Sequence, residues 1–111
     1  MYYTYMLRCE DNSVYTGITS DLNRRMQEHF GRTEKCAKYT MTHKAKTLEA
    51  VWKSDNRVLA SKLEYHIKKL SKEEKENLIL NNKNFKNLLN EKIDVSQYKR
   101  ITKENIKKLK L

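Results

Sequence analysis

Proline is missing from these 111 residues, glycine and cysteine occur only twice each, and no apolar run approaches the length of a membrane span. A spanning helix needs about 20 consecutive apolar residues, so none is expected. No secretory apolar region follows Met1 either, and the chain reads as a soluble, cytoplasmic protein with no membrane partner. Cys9 and Cys36 lack C-x-x-C or Cys/His zinc spacing, which favours two reduced thiols over a metal site. No internal repeat or low-complexity tract is present beyond a Lys/Asn bias toward the C-terminus. Acidic residues are also scarce, 14 against 24 Lys and Arg, for a net charge of +10 and a pI near 9.6. A polyanion, DNA or RNA, is therefore the expected partner. A chain of this length holds one core and buries roughly two-thirds of its unfolded surface.

What is present falls into a short series of periodic segments. Tyr3, Tyr5, Leu7 and Cys9 alternate along a first strand, and Val14 to Ile18 is a second β-rich run. Glu10-Asp11-Asn12 between them suits a tight turn, which makes residues 2–19 an antiparallel hairpin. Ser20 is positioned to cap a helix on which Leu22, Met26 and Phe30 recur every four residues, with Gly31 at its end. Leu48 to Lys53 reads as a third strand. Ser54 or Asp55 then caps a helix with Leu59, Leu63, Ile67 and Leu70 on one stripe, and Ser71-Lys72-Glu73-Glu74 has capping-box spacing for a helix running toward Leu80. The predicted fold is α+β, a three-stranded antiparallel sheet flanked by helices in the order β-β-α-β-α-α. Residues 1–80 form the expected domain and residues 81–111 a basic, helical C-terminal extension. In that extension Phe85, Leu88 and Leu89 share one possible face, and Ile101, Ile106 and Leu109 another. Residues 32–46 show no period and carry Arg32, Lys35, Lys38, Lys44 and Lys46 against the single acid Glu34, the composition of a functional loop.

Three regions of the chain invite a chemical reading. Gly17 lies inside a strand pattern, where glycine weakens the strand and marks either a bulge or a close approach. Its neighbour Tyr15 and the facing Tyr5 favour a site. On the first helix, at about 100° per residue, Arg24 falls about 160° from the centre of the apolar stripe and Arg25 about 100° away, beside His29. Arg24 should face solvent, whereas Arg25 and His29, as i, i+4 neighbours, can converge on one phosphate. Glu64 is placed likewise on the flank of the later helix, where the plain alternative is an exposed ion pair with Lys68.

The ordered set Tyr3-Thr4-Tyr5, Tyr15-Thr16-Gly17, Thr19, Asp21-Leu22, Arg25, His29, Tyr39 and Glu64 resembles the GIY-YIG nucleases of the small bacterial stand-alone class. The resemblance spans residues 3–70, a little under two-thirds of the chain. It implies Tyr5 and Tyr15 as the motif tyrosines, Arg25 as the catalytic arginine, His29 as the histidine four residues on, and Glu64 as the ligand of one Mg²⁺ or Mn²⁺. Tyr3, Thr4 and Thr16 depart from the glycine and isoleucines of the motif, and the asparagine often found after the glutamate has only Asn77 and Asn81 as candidates.

Phosphodiester hydrolysis needs a deprotonated water, charge stabilisation at the phosphoryl oxygens and help for the leaving alkoxide. Arg25 offers a permanently charged fork matched to phosphate. For water activation the sequence leaves open Tyr5, Tyr15 and His29. Arg32, Lys35, Lys38, Tyr39, Lys44 and Lys46 are the expected nucleic-acid contacts. The leading function is a metal-dependent endonuclease acting on DNA, single-stranded, duplex or branched. The alternative is a noncatalytic DNA- or RNA-binding module of the same fold.

Overall fold

A computed structural model describes residues 1–31, 39 and 42–107. Strand β1 (Tyr2–Cys9) pairs antiparallel with β2 (Val14–Thr19), placing Tyr5 opposite Gly17 and Leu7 opposite Tyr15. The expected turn closes the hairpin, with the Cys9 N–H donating to the Ser13 carbonyl at 2.9 Å. Asn12 takes the left-handed conformation there (φ 69°), which asparagine tolerates better than most residues.

Helix α1 (Leu22–Gly31) follows at once and buries Leu22, Met26 and His29. Asp21 rather than Ser20 supplies its cap, its carboxylate accepting the Arg24 N–H at 3.1 Å, while Thr19 Oγ1 accepts the Asp21 N–H. Strand β3 (Ala45–Ser54) pairs along the other side of β1 and is longer than its alternation suggested. Register shifts at Met6/Leu7 and Arg8/Cys9 break the two-residue period over its first half, which hid residues 45–47 in the sequence. Lys46 thus lies on a strand, exposed, and not in the preceding loop.

Helix α2 (Arg57–Lys68) is capped by Asn56, whose side chain accepts the Leu59 N–H at 2.9 Å. Ser54 and Asp55 do not serve as caps because β3 runs through Ser54, whose hydroxyl donates to the Tyr2 carbonyl. Helix α3 (Lys72–Leu80) opens with the full reciprocal capping box of Ser71 and Glu74. A short helix α4 (Lys83–Leu89), a 3₁₀ turn (Val95–Gln97), a two-residue strand β4 (Lys99–Arg100) and a one-turn helix α5 (Lys103–Lys107) complete the described chain. The sheet order is β2-β1-β3-β4, so the three expected strands gain a fourth too short to show a period.

Alternation divides the sheet into two faces. Met6, Ala50 and Trp52 point to one, covered by Leu63 and Ile67 of α2, Leu78 of α3 and Phe85, Leu89, Ile93 and Tyr98 from the C-terminal third. Tyr5, Leu7, Leu48 and Val51 point to the other, under Leu22 and Met26 of α1, with Ile101 and Ile106 packed at the margin. The C-terminal segment therefore shares a core with β1 and β3. Arg8 adds a bidentate tie from β1 to Glu76 on α3, both bonds 2.5 Å, and holds that carboxyl down to about 2.

Arg100 closes the second layer. Its guanidinium lies 5.4 Å over the Trp52 ring and donates to the carbonyls of Leu78 (3.0 Å) and Ile79 (2.7 Å) in the last turn of α3. These carbonyls have no partner within their own helix, and a cation there complements its negative end. Arg100→Ala is expected to lower stability by about 2 kcal/mol, measured by urea denaturation. A change below about 0.5 kcal/mol would mean that solvent caps α3 equally well.

Candidate active site

Tyr5, Tyr15, Arg25 and His29 meet on the α1 face of the sheet. Tyr5 sits on the inner strand β1 and is fully buried. Its hydroxyl lies 2.7 Å from His29 Nε2, and His29 is fully buried as well. Arg25, half-buried one turn earlier on α1, donates to the same phenol and pairs with Glu28 at 3.0 Å. The half-buried Tyr15 ring on β2 completes the group, its centroid 6.2 Å from Tyr5 and 5.5 Å from His29. Arg24 is exposed, as the helical count anticipated.

Gly17 explains how a phenol fits at this point. A Cβ at that position would lie 2.6 Å from the Tyr5 hydroxyl and 2.9 Å from Tyr15 Cε2, closer than real side chains allow. The β1–β2 register is regular through Gly17, so it makes no bulge. The glycine leaves the volume that the Tyr5 ring occupies.

Protonation states follow from burial. Removal from water raises the Tyr5 phenol above its ordinary value; the neighbouring Tyr15 phenol adds to this, and the Arg25 hydrogen bond opposes it. Burial lowers His29 to about 4, reinforced by the Arg25 charge and opposed by Glu28. At neutral pH the imidazole is uncharged. A phenol that accepts from Arg25 and donates its own O–H to Nε2 would place the imidazole proton on Nδ1. The resulting chain runs Arg25, Tyr5, His29.

Glu64 reaches this group from the opposite layer. Helix α2 covers the Met6 face, but β2 is an edge strand, and Glu64 and Lys68 lie on the helix flank beside it. The pair is 3.4 Å apart, Lys68 Nζ stands 5.9 Å from the Tyr15 ring centroid, and the Glu64 charge is felt at the Tyr5 phenol. No cluster of three or more His, Cys, Asp or Glu occurs among the described residues. Glu64 thus offers one half-buried carboxylate, a donor set suited to a hard cation that keeps most of its waters and shares substrate phosphate.

Of the remaining candidates, Tyr39 stacks on Tyr15 at 5.5 Å and on His43 at 4.2 Å, and His43 Nδ1 bonds to Asp11 in the hairpin turn. Lys44 makes a loose contact with Glu10 at 3.8 Å. Arg32, Lys35 and Lys38 lie outside the described residues, as does Cys36; Cys9 is a buried free thiol. Asn77 and Asn81 sit on and just after α3, the helix whose Leu78 enters the opposite core. Sequence reading missed Glu28, although its i, i+3 spacing from Arg25 is a usable signal. It also missed His43, because the aperiodic stretch gave no reason to align it with Tyr39.

Comparison with known proteins shows the family. The family model of the GIY-YIG catalytic domain matches residues 1–77. UPF0213 protein FN1575 of Fusobacterium nucleatum is 50% identical over 78 residues, covering 70% of this chain and 76% of its own. UPF0213 protein YhbQ of Salmonella arizonae is 40% identical over 88 residues, 79% of this chain and 86% of its own. A solution NMR structure of UPF0213 protein BH0048 from Bacillus halodurans is 38% identical, covers 71% of this chain and 83% of its own, and superposes with a TM-score of 0.44. The chain belongs to the GIY-YIG family, and its domain is of the nuclease type. No helix among the described residues is long and apolar enough to cross a membrane.

Gly17→Ala tests the packing directly. Overfilling the space beneath the Tyr5 ring should cost about 1–3 kcal/mol in thermal or urea unfolding. Ser20→Ala, at an exposed position in the next turn, should stay within about 0.5 kcal/mol. Equal stability of the two variants would show that Tyr5 can leave its place freely.

Proposed function

We propose that the protein is a divalent-metal-dependent endonuclease that hydrolyses phosphodiester bonds of DNA. One observation carries the reading: Tyr5, Tyr15, Arg25 and His29 converge at one end of the sheet while Glu64 comes round the β2 edge toward them. Arg25 lies where its fork can turn to the phosphoryl oxygens and stabilise the charge that grows in the transition state. Tyr15, more accessible than Tyr5, is the phenol placed to touch substrate or the attacking water. Tyr5 and His29 form the inner proton pathway: the phenol passes its proton to Nε2 as it accepts one from outside, so neither buried group needs to hold a charge alone beforehand. The anionic substrate favours the imidazolium that results. Glu64 is the residue that would hold Mg²⁺ or Mn²⁺, and the ion would neutralise charge on the leaving oxygen.

A binding-only module is the second reading, and the Glu64–Lys68 pair is what favours it, since a paired carboxylate need not hold a cation. That pair is partly solvated at both ends and worth about 0–1 kcal/mol, so a divalent ion can displace Lys68 at little cost. A carboxylate held beside phosphate without a cation would weaken a pure binder.

Purified protein should cleave labelled DNA with Mg²⁺ or Mn²⁺ and lose the activity in EDTA. Glu64→Gln and Arg25→Ala should each reduce the single-turnover rate at least about a hundredfold with unchanged fold, and Arg24→Ala less than about threefold. Full cleavage in EDTA, or by Glu64→Gln, would contradict the metal site. Absence of cleavage together with tight binding would establish the binding module.

A further inference from the structure

Beside the tyrosine cluster lies a second concavity with an unusual cross-strand arrangement. The β-ladders align Thr19, Tyr3, Lys53 and Lys99 in one row across β2, β1, β3 and β4. The adjacent same-face row carries Gly17, Tyr5 and Val51. Lys53 and Lys99 are thus directly opposite, where like charges repel. Neither ammonium has an ion-pair partner among the described residues. They edge a pocket of about 650 Å³ that also takes in Tyr3, Leu22 and Ile101 as apolar surface and Asn23 and Asn105 as polar edge. Its one carboxylate, Asp21, accepts the Arg24 N–H, and the Arg100 fork is taken up by α3.

Such a sheet row stabilises a bound anion, because an anion removes the repulsion that its absence leaves. The volume exceeds what a phosphate group fills and falls within the range of small-ligand sites. Apolar surface next to paired ammonium groups suits a base and sugar on one side and a phosphate on the other. Same-face rows of a strand are about 7 Å apart, so the pocket lies within reach of the nucleotide next to the one at the Tyr5 row. A base stacked and paired within a duplex is not free to enter it.

We propose that this pocket takes an unpaired nucleotide of the strand being cut, its phosphate on Lys53 and Lys99 and its base against Tyr3. The inference rests on the nuclease reading for the position of the strand, but not for the binding itself, and it assigns the substrate as single-stranded or locally unpaired DNA. Lys53 and Lys99 are positioning residues for an adjacent nucleotide, distinct from the groups around the scissile phosphate.

Binding in EDTA separates this proposal from catalysis. The probes are a labelled oligo(dT) octamer and a blunt, closed hairpin duplex, followed by fluorescence anisotropy over a salt series. Lys53→Met/Lys99→Met should bind the octamer at least about tenfold more weakly, with a log–log salt slope shallower by about 0.7, and the duplex within about threefold of wild type. Lys53→Arg/Lys99→Arg should restore most of the octamer affinity. The methionine variant should melt no lower than wild type, since it removes a repulsive pair. Octamer binding that tolerates both methionines, or an equal loss on the duplex, would overturn the proposal. So would saturation of the pocket by free dTMP with no competition against the octamer, which would define a mononucleotide site. Selective octamer binding through Lys53 and Lys99 with no cleavage under any metal would leave the pocket standing and remove only the nuclease reading.

Discussion

The hydrogen bond between the Tyr5 phenol and His29 Nε2 holds together the two elements on which the site is built. A strand of the sheet centre and the helix laid over it meet through two groups that are both removed from water. Burial makes each a poor ion, raising one and lowering the other, so the neutral donor and neutral acceptor satisfy one another. Gly17 supplies the space for the ring, and Arg25 adds a charged donor to the phenol oxygen. Three further candidates are arranged around this bond. Tyr15 borders it from the edge strand, Tyr39 stacks outside Tyr15, and Glu64 approaches across the same edge.

Rigidity for that arrangement comes from the far side of the sheet. Met6 and Trp52 are locked by α2, α3 and the C-terminal third, with Trp52 held between the Phe85 ring at 5.3 Å and the Arg100 guanidinium. Because successive strand residues point to opposite faces, fixing Met6 on one face fixes Tyr5 and Leu7 on the other. The C-terminal segment thus braces the active face from behind and packs Ile101 and Ile106 at its margin. It also supplies Lys99 and Ile101 to the neighbouring pocket.

Much of this was legible in the sequence for local reasons. The hairpin, α1 and the Ser71 capping box are each specified within a few residues by alternation, four-residue recurrence or a capping pair. The separation of Arg24 from Arg25 needed only the helical angle. What escaped depended on distant partners. Asn56 caps α2 because β3 continues through Ser54, and that extension is set by pairing with β1 across two register shifts. Strand β4 is too short for any period and exists because Arg100 is drawn to α3 and Trp52. Gly17 was recognisable as special, but not that it accommodates a neighbouring side chain. The ordinary pKa of histidine near 6.5 gave no warning that His29 would be buried and neutral.

The imidazole itself gives the most direct test. ¹⁵N-resolved NMR of the His29 ring between pH 8 and pH 4 reports both the tautomer and the titration. A buried acceptor for Tyr5 should show the neutral form with its proton on Nδ1 throughout the neutral range, and should begin to charge only as the pH nears about 4. An imidazole that titrates near 6.5, or carries its proton on Nε2, would contradict the Tyr5–His29 pathway and the arrangement built upon it.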